Sequence, residues 1–225
     1  MAVDTKLPPS WLIMVYRVPS EPSRHRVAVW REMKRLGALY LQNCVCLLPA
    51  FRGIKGELGR IGERVAGMSG SSLIFETKKL VEPELSAVLE AFREQSNKEY
   101  DEIIEECTTR FHKEIEFERF RKNFAYEEAE EIYSDLEKLK SWLSRVSQRD
   151  WFGSGKREET ERHVAACEVA YEEFERECFA ASAMEQPRQQ ATAPSARAAE
   201  APVEGQRPQV VWRHRPKRSS RPTRR

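Results

Sequence analysis

Two textures of apolar and polar positions divide the chain. Up to about residue 80 the apolar runs are short and punctuated; beyond it they become long stripes at helical spacing. Residues 11–18 (WLIMVYRV) are apolar and rich in β-branched residues, and Pro19 ends them, which predicts a mostly buried strand. Ser20, Pro22 and Ser23 supply helix-start chemistry, since serine caps and proline suits a first turn. Val27, Trp30, Met33 and Leu36 then recur at helical spacing, and Gly37 is the expected stop. Residues 38–41 and 45–48 read as short strands around a tight Gln42–Asn43–Cys44 turn, closed by Pro49. Within residues 52–68, Ile54, Leu58, Ile61 and Val65 predict one buried face of a second helix, despite Gly53, Gly56, Gly59 and Gly62. Residues 71–77 (SSLIFET) predict a fourth strand. The order β-α-β-β-α-β is the ferredoxin-like arrangement.

From Glu82 onward Leu85, Leu89, Phe92, Ser96, Tyr100, Ile103, Cys107, Phe111, Ile115 and Glu118 step by three or four, predicting one unbroken helix that ends near residues 122–124. A second helix over 126–148 buries Ala129, Ile132, Leu136, Leu139, Leu143 and Val146. Its face is acidic in front and basic behind, which suits the helix dipole. A turn at 149–155 carries Trp151 and Phe152, expected to plug the end of the helical bundle. A third helix over 156–181 has the stripe Val164, Cys167, Tyr171, Phe174 and Cys178. Short connections favour antiparallel neighbours. The predicted fold class is therefore α+β. A flexible start (1–9) leads to a ferredoxin-like βαββαβ head (10–80) and a three-helix antiparallel extension (81–183). A disordered basic tail (184–225), without apolar period, follows.

Charge sharpens this division. Residues 1–70 hold 11 Lys/Arg against 5 Asp/Glu, residues 71–184 hold 17 against 28, and residues 185–225 hold 10 against 3. A basic head and a basic tail thus flank an acidic body. No apolar run approaches the roughly 18 residues of a membrane span, and the N-terminus lacks export-signal patterning. The expectation is a cytoplasmic protein with no membrane partner and with its five cysteines reduced.

Candidate chemistry is sparse. Arg24, His25, Arg26, Arg31, Lys34 and Arg35 gather on the first helix. Such a surface can track nucleic-acid phosphates, or hold a small oxyanion at the helix start. It can equally be a solvated face that pairs with the protein's own acidic helices. Cys44 and Cys46 alternate onto one strand face, where a CxC pair can bind a soft metal, yield to oxidation or simply pack. Cys167 and Cys178 fall on a core stripe. His112 and His163 stand isolated in sequence. The acidic run 127–131 has no Glu-x-x-His partner of the kind that bundle metal sites use. The tail cations around Trp212 have the composition of a nucleic-acid arm. No nucleophile elbow, phosphate loop, HExxH or nucleotide-binding glycine motif occurs, so no catalytic, metal or cofactor residue is assigned and a non-enzyme is expected.

Several of these segments together resemble a known family. Trp11-Leu12, the Val18-Pro19 stop, Arg26-Val27, Val29-Trp30-Arg31, Leu36-Gly37-Ala38 and the hairpin from Gln42-Asn43 to Leu48-Pro49 are similar to the N-terminal region of the bacterial chromate-resistance regulators called ChrB. Tyr100, Cys107, the 128–131 acidic run, residues 135–139, Trp142-Leu143 and residues 149–153 extend the likeness over roughly 10–180. The resemblance implies a chromate-responsive transcriptional regulator that represses an efflux operon. It also implies a possible homodimer, DNA as partner through the basic first helix and tail, and chromate as effector. The alternative is an accessory interaction or dimerisation module that does not itself bind DNA. Full-length members carry a further C-terminal domain, where this sequence has its basic tail. A more distant likeness of fold links the head to CRISPR spacer-acquisition proteins and PaaX-type repressors. The nuclease-like members of that wider group place a carboxylate at the end of the first strand, where this sequence has Tyr16-Arg17.

Overall fold

The computed structural model describes residues 7–191, with side chains through residue 183. The first part runs β1 (Trp11–Arg17), α1 (Ser23–Arg35), β2 (Leu39–Gln42), β3 (Val45–Pro49), α2 (Ile54–Gly67) and β4 (Ser71–Thr77). The four strands form one sheet in the order β2-β3-β1-β4, and every pairing is antiparallel. β1 lies inside the sheet, with Leu12 opposite both Leu48 and Glu76. Strand alternation then separates two faces. Leu12, Met14, Tyr16, Cys46 and Leu48 join the buried residues of α1 and α2 in one core. Ile13 sits between Leu47 and Phe75 on the opposite face.

The α2 stripe is buried as its spacing predicts: Ile54, Leu58, Ile61 and Val65 all face the core. On α1 the outcome differs. Val29, Met33 and Leu36 are buried, while Val27 and Trp30 remain 43% and 49% exposed. Two stripes of helical spacing cross at Met33, and only one can face the sheet. At about 100° per residue, Val27 lies almost opposite Val29. Ser20 also fails to cap: α1 opens at Ser23 behind Pro22, with no side-chain cap.

The second part consists of α3 (Glu84–Glu105), a π-helical turn (Glu106–Phe111), α4 (His112–Arg121), α5 (Tyr126–Arg149) and α6 (Arg157–Ala191). The single long helix expected from the apolar stripe is thus continuous from Glu84 to Arg121, with a π-helical turn inside it. Ile103, Cys107, Phe111 and Ile115 are four apart in succession and all are buried. Each such step overruns a straight α-helix by about 40°, so three would rotate the stripe about 120° away from the core. The wider π turn absorbs this drift. His112 donates its amide to the Cys107 carbonyl, closing the π pattern. The hydroxyls of Thr108 and Thr109 donate to the carbonyls of Ile104 (2.8 Å) and Glu105 (2.7 Å).

Glu118 ends the stripe as a buried carboxylate. It accepts a 2.7 Å hydrogen bond from Asn123 Nδ2, and the Asn123 amide bonds the Glu118 carbonyl at 3.0 Å. Lys122 takes a left-handed conformation (φ 55°) at this corner. α3, α5 and α6 pack on one another around Tyr100, Ile103, Leu136, Cys167 and Phe174. α6 runs to Ala191, past the expected end near 181 and into the segment read as tail. The rest of that tail, and most of the expected flexible start, lie outside the described residues.

Trp151 and Phe152 do not plug the bundle end. They join the two parts: Phe152 packs 5.7 Å from Trp11, 5.2 Å from Phe92 and 6.4 Å from Phe51 (ring centroids). Trp151 lies 5.7 Å from Phe51. Gly37 has φ 69°, and a Cβ there would come within 2.8 Å of both Arg149 Cβ and Trp151 Nε1. Conformation and close approach together require glycine.

Candidate nucleic-acid interface

The six cations singled out on α1 separate into distinct settings. Counting about 100° per residue, Arg24, Arg31 and Lys34 lie on the side away from Val29 and Met33, beside the exposed Val27 and Trp30. Arg26 instead lines a hollow of about 580 Å³ with Arg17, Ser20, Ser69, Gly70 and Ser71. His25 is turned inward, and its Nδ1 is buried without a hydrogen-bond partner. Arg35 reaches Glu57 on α2 at 3.5 Å, and Glu32, the acidic residue of this helix, pairs with Arg64.

This arrangement separates cations that are neutralised within the fold from those that are not. Among the described residues, Arg24, Arg26, Arg31 and Lys34 form no ion pair within 4.0 Å; in the helical body most cations are paired, while Lys98, Lys113, Arg145, Arg162 and Arg176 are not and stand dispersed among carboxylates. There Arg110 meets Glu106 at 2.8 Å, Arg119 meets Glu177 at 2.9 Å, Lys138 meets Asp135 at 2.7 Å and Arg157 meets Glu161 at 2.9 Å. Arg149 and Glu99 form a pair that is largely sheltered from solvent. The acidic helices therefore do not serve as the counter-surface of α1. Arg24, Arg31 and Lys34 around an exposed indole offer a polyanion both charge and a stacking or packing surface, and Arg26 with Arg17 adds charge at the adjoining hollow.

Sequence reasoning missed Arg17, which the end of β1 carries to the same hollow as Arg26. It also missed the exposure of Trp30. The clue was available: Val29 to Met33 to Leu36 is an equally regular stripe, and choosing it turns Val27 and Trp30 outward beside Arg24, Arg31 and Lys34.

The cysteines fall in core positions. Cys44 is half-buried in the hairpin turn at φ 66°, and Cys46 is buried beneath α1 and α2. Burial pushes the Cys46 thiol up to about 12. The hydroxyls of Tyr16 and Tyr40 meet at 3.1 Å beside it, and burial raises both tyrosines. In the body, the π turn sets Cys107 against Cys167, whose Sγ lies 3.8 Å from His112 Nε2. His112 is therefore not the isolated residue that its sequence position suggests. The hydrogen bond from Cys167 holds the Cys107 thiol below the ordinary range, and the same contact together with burial raises Cys167. Among the described residues no three His, Cys, Asp or Glu side chains converge on a metal position. Nor is any described helix long and apolar enough to cross a membrane.

A family model described as "Protein ChrB, N-terminal" matches residues 26–185. The chain belongs to this family, which is tied to chromate resistance. No curated protein and no solved structure matches it.

Proposed function

We propose that the chain is a non-catalytic, chromate-responsive transcriptional regulator of the cytoplasm that contacts DNA through the outer face of α1. The observation that carries this reading is the set Arg24, Arg31 and Lys34, left without internal counter-ions around the exposed Trp30. Family membership supplies the chromate context. The head is a ferredoxin-like unit, a reading supported by its βαββαβ order and antiparallel 2-3-1-4 sheet. The body is a three-helix extension, supported by the mutual packing of α3, α5 and α6. In this reading the head binds phosphates, and the body and a second copy hold it in register.

The test is fluorescence anisotropy of the full chain on DNA from upstream of its own operon, with and without chromate. Binding that falls with salt and changes with chromate is expected. No binding at low ionic strength would sink the DNA-contact reading and leave the accessory interaction module, which the open edge of β4 favours.

A further inference from the structure

β4 is an edge strand: it pairs with β1 on one side and with no strand on the other among the described residues. Its first five residues lack the usual protections of an edge, and its charges, Glu76 followed by Lys78 and Lys79, gather at its end. No proline occurs in it, and no charge lies between Ser71 and Phe75. Leu73 is 62% exposed and Phe75 is 52% exposed; both stand on the sheet face not covered by α1 and α2, flanking Val15 and Ile13 of β1. This is a row of free backbone donors and acceptors beside an apolar stripe, the combination that templates strand addition.

We propose that the occupant is a second copy of this chain, with the two β4 strands pairing antiparallel about a two-fold axis at Ile74. The sequence of β4 suits that axis. Leu73 comes opposite the second copy's Phe75 and the reverse, an aromatic–aliphatic pair at about 5 Å between Cβ atoms. Ser72 comes opposite Glu76, and Ser71 opposite Thr77. No like charges oppose one another. Glu76 is already satisfied by Lys55 at 2.7 Å and Ser10 at 2.6 Å, and Lys78 and Lys79 fall opposite Gly70 and Ser69. The product is one eight-stranded sheet with an isologous seam. The chain's own tail competes poorly for this edge. Its apolar run is Val210-Val211-Trp212, three residues between Pro208-Gln209 and Arg213, too short to cover a seven-residue strand.

The inference rests on the proposed reading only for its homodimer, so assembly and DNA binding are scored separately. Sedimentation equilibrium of the full chain is expected to give twice the 26.2 kDa chain mass. Leu73→Lys/Phe75→Lys places like charges across the seam, and is expected to return one chain mass. Its far-ultraviolet dichroism should be unchanged, because both side chains are already exposed, and its melting should lose the concentration dependence that a dimer shows. Ile74→Cys is expected to form a 74–74 disulfide on mild oxidation, located by peptide mapping, in high yield only in the native background. Three results overturn the proposal. One is a monomeric full chain. Another is a dimer indifferent to the lysine pair. The third is β4 amide protection in a monomer that vanishes in Val210→Ser/Val211→Ser/Trp212→Ser, which would assign the edge to the tail. DNA binding abolished with the dimer intact would overturn the functional reading alone.

Discussion

The outer face of α1 and the outer surface of the helical body carry similar densities of charge and use them differently. In the body, cations and carboxylates alternate at i,i+3 and i,i+4 spacing or across helices, and Arg110, Lys138 and Arg157 each find a carboxylate within 3 Å. On α1 the carboxylate Glu32 is taken by Arg64, and Arg24, Arg31 and Lys34 are left facing water with Trp30. Paired surface charge contributes at most about 1 kcal/mol per pair to stability. Unpaired charge of one sign contributes less to folding and more to recognition, because its field is not cancelled locally. Net charge per region announces the segregation, but only pairing shows which cations are available.

The largest expected effect lies at the junction of head and body. Phe152→Ala removes the ring that Trp11, Phe51 and Phe92 share, and is expected to cost about 3–5 kcal/mol in denaturant unfolding. A variant that unfolds in two steps would show that head and body are held together mainly by this contact. Gly37→Ala strains a left-handed residue and drives a methyl into Arg149 and Trp151, with an expected loss of about 1–3 kcal/mol. If Gly37→Ala leaves stability unchanged, the close approach of head and body at this point is wrong.

Arg24→Ala/Arg31→Ala/Lys34→Ala should leave the melting temperature nearly unchanged and weaken DNA binding. The slope of log K against log salt should drop by about 0.9 for each phosphate that is no longer neutralised. Asp135→Asn/Glu161→Gln, whose carboxylates are paired with Lys138 and Arg157, should leave DNA binding unchanged and cost at most about 1 kcal/mol per pair in stability. Equal effects from the two sets would abolish the distinction between the surfaces. A comparable effect, confined to alkaline pH, concerns Cys46, whose thiol is pushed by burial up to about 12 from 9.0. A raised folded value means that this contribution is intact below pH 9.0 and is lost as pH rises toward 12. By roughly pH 10 the loss should reach about 1 kcal/mol, and Cys46→Ala should flatten it.

Much of the fold was legible because its signals are local. The α2 stripe, the hairpin at residues 43–44 and the α5 stripe each follow from spacing within one element. What was not legible depends on partners distant in sequence. The choice between the Trp30 and Val29 stripes on α1 is made by the sheet beneath, not by the helix. The role of Phe152 is decided by Trp11, 141 positions earlier in the chain. Arg17 reads as an ordinary strand end until β4 and α1 close a hollow around it. The basic cluster was found from composition alone, yet its freedom from internal pairing required the positions of every carboxylate.

The π turn at Glu106–Phe111 can also be read as a count of residues. Its hydrogen bonds span one residue more than those of an α-helix, so the long helix holds one residue beyond what its length requires. Deleting Thr109 should convert the turn to ordinary α-helix with both flanking segments kept in phase. A single deletion elsewhere, at Glu94 for example, would rotate everything beyond it by about 100°. The helix thus contains one position where chain length and packing register are uncoupled, and it lies where Cys107, His112 and Cys167 meet.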